Sequence, residues 1–547
     1  MSATTDSGDS GVGIASAVAP PRAFGLYPAS GFRLTTGRCA DCPTIAQALW
    51  YFQRETIAVP KPGSKVASFA LRVSVAQDLE GWLAARPTQA PPELPPLVWV
   101  AAPDVITGAR LAANAATLSL GTAMLPASLT PKIALNRSYF DASSAAFFCQ
   151  RPLKIRGQRD AGTLVMRTLW PEDFRLESQP PAEALVPELP SPLALRALVR
   201  ADPAGGARSP FAASTLWQRD RTPQAVPTGR AVLGIMLNGA QGDDDEAHAG
   251  HFALVTGRTQ DDGAIGDWLV NNFYALDSES EKGILAAPVP LDNYLADLNS
   301  GQGWYRPSHM LVAVLAEERA AVLVQSALNR VYNQFWRHQL RYRHATMNCT
   351  GISIDVLRAL GWDVPVRGPA NRLVAALGFP YFAMKERSIA KAALAVDYLS
   401  EDMTRLMPAA AFEEAGADLI ALAASTENPG RARRSLAAML AKDLDALLFV
   451  RFPQFPSSRA FGDAPAITPW EFHSRVPSEP GRAQIIPVPP RPFPAALRDP
   501  DLIADRRPMS AYVAAIWGGL LLVGIPLFLY RWWRRRQSRE SSNPQAS

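Results

Sequence analysis

The chain has 547 residues, 48% of them hydrophobic and 19% charged, which is enough apolar material for two or three domains and excludes a wholly disordered protein. A formal net charge of +5 is small for this length and gives no case for a nucleic-acid partner. The four cysteines, Cys39, Cys42, Cys149 and Cys349, make neither a disulfide framework nor a complete zinc set.

Residues 1–24 are rich in Ser, Gly and Asp and read as a disordered N-terminus. A helix is predicted from Pro43 to about Thr56. From Val66 to about Leu176 the pattern leans to strands, with Ser68–Val75, Leu97–Val100 and Thr163–Met166 lying between Pro and Gly breaks. Residues 25–175 therefore read as a β-rich α+β accessory domain, or as an elaboration of the segment after it. Residues 176–225 form a proline-rich linker.

Strands are expected at Ala231–Leu237 and His251–Arg258. Asp261-Asp262-Gly263 supplies a turn into a third at Asp267–Tyr274, and Met310–Leu315 is a fourth candidate. Arg319 to about Gln339 reads as a helix, and so does the stretch after Cys349 up to Gly361. These elements make residues 226–375 the core domain. Residues 376–450 are Ala/Leu rich and read as a helical cap broken near Asn428-Pro429-Gly430.

Residues 451–510 read as a proline-rich stalk; the part from Pro480 to Pro508 would span roughly 90 Å at ~3.1 Å per residue. Ala511 to Tyr530 carry no charge and match the thickness of a bilayer core, so a single transmembrane helix is predicted there. Trp517, Tyr530, Trp532 and Trp533 suit interfacial positions, and a basic tail, 531–547, follows with Arg531, Arg534, Arg535, Arg536 and Arg539. The arginines favour a cytoplasmic C-terminus in an inner membrane, with the large domain outside the cytoplasm. The N-terminus has no basic n-region or apolar h-region for export, so a tail-anchored protein facing the cytoplasm is the alternative.

The chemistry centres on Cys349. It stands in Met347-Asn348-Cys349-Thr350-Gly351 at a predicted helix start, where the macrodipole favours thiolate. His251 opens a strand about a hundred residues upstream and is the candidate base. Across the hairpin, Asn272 or Asn271 is the candidate partner that orients His251; alternation lets only one of them share its face. The backbone N–H of Cys349 is the expected oxyanion donor, with Tyr342 as a second candidate.

His344 is close in sequence to Cys349, His248 follows an acidic run and reads as a loop residue, and His309, His338 and His473 have no evident partner. The run Asp243-Asp244-Asp245-Glu246 lacks the ligand spacing of a calcium loop and reads as a solvated loop. Cys39 and Cys42 form a C-x-x-C whose readings are a redox pair or a structural disulfide; haem attachment fails because position 43 is Pro43. Neither a metal nor an organic cofactor is expected.

A Gly250-His251 strand followed by Tyr342…Asn348-Cys349-Thr350 at a helix start resembles the circularly permuted papain-like thiol hydrolases. These include the lecithin–retinol acyltransferase-like proteins and the NlpC-type amidohydrolases. The pattern looks closest to a bacterial family of unknown function with a Gly-His strand and a Tyr…Asn-Cys-Thr helix. The resemblance covers roughly residues 230 to 365. It implies a permuted papain-like core with an antiparallel sheet and a Cys-bearing helix, Cys349 as nucleophile, His251 as base and a polar third residue.

The expectation is thus a membrane-anchored cysteine amidohydrolase or peptidase, acting on peptide or amide bonds and, if exported, on cell-wall peptides. An acyltransferase or lipid deacylase of the same fold is one alternative, and a catalytically silent membrane-anchored scaffold is another.

Overall fold

The structure is a computed structural model. It describes residues 18–455 apart from 133–138, 177–191, 201–209, 220–225, 240–249, 274–285, 425–435 and several shorter stretches, together with 494, 517–518 and 520–540. The linker between 177 and 191, the break near Asn428, most of the stalk, the acidic run 243–246 and His248, His338 and His473 lie outside the described residues.

The fold is α+β with several antiparallel sheets. Its centre is a seven-stranded sheet in the spatial order Ala212–Gln218, Leu444–Phe452, Ser308–Leu315, Ala231–Asn238, His251–Arg258, Leu269–Asn272 and Ala287–Pro290, antiparallel throughout. Nearly every residue of Ala231–Asn238, His251–Arg258 and Ser308–Leu315 is buried, because helices cover one face and the N-terminal segments the other. The helix Arg319–Trp336 packs on the first face, joined by Thr256 and Asn271 to Gln325.

Two strands of this sheet were not expected. Ala212–Gln218 comes from the supposed linker, and Leu444–Phe452 from the end of the supposed helical cap. The described remainder of that cap is mainly helical, at Arg372–Glu386, Ile389–Ser400, Pro408–Ala424 and Leu436–Asp443.

The region before residue 176 shares one continuous buried core with the sheet. A six-stranded, a three-stranded and a two-stranded sheet carry its strands, and Thr163–Pro171 and Val98–Ala101 overlap the strands expected at Thr163–Met166 and Leu97–Val100. Of the expected strand at Ser68–Val75, residues 69–72 lie outside the described residues, and its end at Ser74 and Val75 is corrected. Ser74 instead caps the helix Val75–Ala85, its hydroxyl taking the Gln77 N–H while the Gln77 side chain returns to the Ser74 N–H. The helix predicted from Pro43 is also shorter, Ala46–Tyr51, because Thr56–Pro60 pairs as a strand.

Buried ion pairs join the two regions. Arg330 Nε lies 2.6 Å from Asp78, Arg156 Nη2 2.9 Å from Asp292, and Arg167 Nε 2.6 Å from Asp297. Breaking such a pair leaves an uncompensated buried charge, at a cost of about 3–5 kcal/mol.

The transmembrane helix is corrected as well. Among the described residues, no helix is long and apolar enough to cross a membrane. The apolar run is interrupted by a π-helical turn at Leu520–Gly524, and the helix Ile525–Glu540 keeps only Ile525 to Tyr530 free of charge before the arginines begin. The single-pass anchor, the bilayer partner at 511–530 and the inner-membrane location that rested on it go with that helix.

Candidate active site

Cys349 is the first residue of the helix Cys349–Ala359. Asn348 is its N-cap: the Asn348 Oδ1 accepts the Gly351 N–H at 2.7 Å, and its Nδ2 donates to the His344 carbonyl at 2.8 Å. A cap of this type stabilises a helix end by about 1 kcal/mol. Here it also fixes where the thiol stands. The preceding loop is tied by Arg343 and Met347, which exchange backbone hydrogen bonds at 3.0 and 2.9 Å, and by Arg405 Nη2, which donates to the Thr346 carbonyl at 3.1 Å. At the far end Gly361 takes φ +84°, and the Trp362 N–H returns to the Leu357 carbonyl at 2.9 Å, closing the helix as the sequence predicted.

His251 opens its strand directly after Gly250, whose φ of +84° is a left-handed turn that a side chain would strain. The thiol and the imidazole meet. Burial pushes the Cys349 thiol up, but the charge of His251, a hydrogen bond from its ring and the backbone N–H of Phe252 outweigh burial and bring it to about 6. Both side chains are buried, at 5% exposure for Cys349 and 3% for His251. The Thr350 hydroxyl lies 3.8 Å from the sulfur, and the Ser353 hydroxyl donates to the Cys349 carbonyl at 2.8 Å.

The strand register separates the two asparagines. Leu254 faces Asn271, so Asn271 shares the face of Leu254 and Thr256, while Asn272 falls on the alternate face with Ala253 and His251. Asn271 is engaged on its own face: its Nδ2 donates to the Leu254 carbonyl at 3.1 Å and to Gln325 at 3.0 Å, and its Oδ1 accepts from Gln325 Nε2 at 2.8 Å. Asn272 is 3% exposed, and among the described residues its Oδ1 has no hydrogen-bond partner. The Tyr332 hydroxyl holds its backbone carbonyl at 3.3 Å.

The Cys349 N–H donates to the Tyr342 hydroxyl at 3.4 Å, so this hydroxyl lies at the amide that an oxyanion would use. His344 stacks edge-on against Tyr342, with ring centroids 5.2 Å apart. His309 is buried against Phe449, and burial together with Arg451 pulls its pKa down to about 3, which keeps it neutral. Cys149 is partly buried away from this pair, and burial raises its pKa.

Three further polar residues stand at the same strand ends. Asn238 is the register partner of His251; it accepts from the Tyr294 hydroxyl at 2.5 Å and donates to Ser308 at 2.6 Å. The Tyr294 ring lies 6.2 Å from that of His251. Asn238 closes the strand that pairs with His251, a position readable only once the register across 239–250 is known. Tyr294 comes from a short helix, Leu291–Ala296, with no motif to mark it.

No protein-family model, curated protein or solved structure matches this chain.

Proposed function

We propose that the chain is a thiol hydrolase with a permuted papain-like core, acting on an amide bond through a Cys349 acyl-enzyme. The observation that carries this reading is the buried Cys349 thiol, held at about 6 by His251 at a helix start. The Cys349 thiolate attacks the carbonyl carbon, and the electron pair of the C=O bond moves to oxygen beside the Cys349 N–H. Collapse breaks the C–N bond while His251 gives its proton to the leaving amine. Water then attacks the thioester, His251 takes its proton, and the acid departs as the thiolate is restored.

The deep burial of both residues favours acyl transfer as the second reading, because a thioester screened from water survives until an acceptor arrives. The cell-wall peptide expectation leaned on an exported, anchored site and is not carried forward.

The test is intact-mass detection of a thioester adduct after exposure to small activated acyl amides and esters, with iodoacetamide labelling in parallel. Adducts should fall on Cys349 and vanish in Cys349→Ser. Equal labelling rates at Cys349 and Cys149, unaffected by His251→Ala, would instead leave a silent scaffold.

A further inference from the structure

The C-x-x-C segment lies apart from this site and carries its own chemistry. Cys39 and Cys42 are joined by a disulfide that is neither fully buried nor free in solvent. A cation is placed against it: Arg33 Nη2 lies 2.9 Å from the Cys39 sulfur and 3.5 Å from the Cys42 sulfur. The same nitrogen donates to Asp41 Oδ1 at 2.5 Å, and that oxygen is 3.1 Å from the Cys39 sulfur. The hydrogen bond from Arg33 holds the Asp41 carboxyl below its usual value, so it is ionised at neutral pH.

A structural bond explains this poorly. Cross-links act chiefly by restraining the unfolded chain, and they do so least when the closed loop is short. Here only two residues separate the cysteines. A metal site explains it no better. The two sulfurs and the Asp41 carboxylate are close enough to share an ion, but Arg33 already occupies the space between them with a positive charge. A guanidinium adds little to a neutral disulfide and much to a thiolate.

We propose that Cys39 and Cys42 form a thiol–disulfide exchange site whose substrate is a peptide or protein dithiol, with Arg33 as the group that stabilises the leaving thiolate. A substrate thiolate attacks the Cys39 sulfur, the S–S bond breaks, and Cys42 leaves as a thiolate held by Arg33. The second substrate thiol loses its proton to solvent and attacks the substrate sulfur of the mixed disulfide. Cys39 leaves and is protonated from solvent, its S–H directed to Asp41. The substrate is oxidised to a disulfide by two electrons, and Cys39–Cys42 is reduced to a thiol and a thiolate.

The experiment uses the full chain carrying Cys149→Ser and Cys349→Ser, so that only this pair reports and the result is independent of the hydrolase reading. The protein is equilibrated with a bis-cysteine peptide in defined reduced-to-oxidised ratios, quenched with maleimide and read by intact mass. The native pair should exchange without denaturant, and Arg33→Gln should shift the balance at least tenfold toward the protein disulfide. Arg33→Lys should recover part of that shift. The proposal is overturned if the disulfide exchanges only after unfolding, if Arg33→Gln leaves the balance unchanged, or if zinc protects the reduced pair from maleimide.

Discussion

Asn271 and Asn272 are neighbours in the chain and both buried, yet the sheet sends them to opposite faces and different surroundings. On the Asn271 face, Thr256, Gln325 and Asn329 complete one another's hydrogen bonds, and the Asn329 Nδ2 carries the network to the Glu93 carbonyl at 2.9 Å. On the Asn272 face, a thiol is drawn down from its ordinary value of 9.0 to about 6, and a buried amide oxygen has no hydrogen-bond partner among the described residues. A satisfied network holds a fold in one arrangement. Displaced proton affinities and unspent acceptors are what a site keeps for reaction.

Substitutions can break this contrast, beginning with Cys349. Cys349→Ala should lower turnover on the order of 10⁴-fold or more, measured on whichever amide or ester first yields an adduct. His251→Ala should move the pH midpoint of Cys349 alkylation upward from about 6, because the charge and hydrogen bond that do most to offset burial are then gone. In the native protein the sign is fixed by the depressed pKa: thiolate persists above about pH 6, and the rate should fall tenfold per unit below it.

Asn272→Ala should cost about 10²-fold in kcat with the thermal midpoint nearly unchanged. Tyr342→Phe should cost only about tenfold, since the Cys349 N–H remains to receive the oxyanion. Asn271→Ala sharpens the comparison from the other side. It should lower stability by about 1–3 kcal/mol, leaving Gln325 underpaired, and should not move the thiol midpoint. A shifted midpoint in that variant would erase the distinction between the faces.

The pairing of His251 with Cys349 was legible because each sits at the end of an element whose local chemistry is visible in sequence: a glycine before a strand, and an Asn cap before a helix. The sequence left Asn271 and Asn272 as alternatives; the register puts Asn272 on the face of His251, but its Oδ1 accepts no hydrogen bond among the described residues. The strand Leu444–Phe452 was not legible. Its LDALLFVRF run is buried on both sides in a sheet interior, where no alternation survives, and it follows an Ala/Leu helix without a breaker. The end of the strand expected at Ser68–Val75 failed for another reason: Ser74 and Gln77 form a capping pair that starts a helix at Val75. At the C-terminus the count of uncharged residues from 511 to 530 suggested a span, but it carried no information on the π-turn at Leu520–Gly524.

That late strand has a consequence for how the protein is made. Leu444–Phe452 inserts between Ala212–Gln218 and Ser308–Leu315, and Phe452 faces Ser308, the residue that holds the Asn238 amide beside His251. A nascent chain ending at residue 443 already contains Cys349 and His251, but its central sheet has an open seam. Pairings so distant in sequence form slowly and late. Cys349 is therefore synthesised about a hundred residues before the strand that completes the sheet carrying His251, so the timing of assembly, as well as geometry, sets when the two are held together in the finished fold.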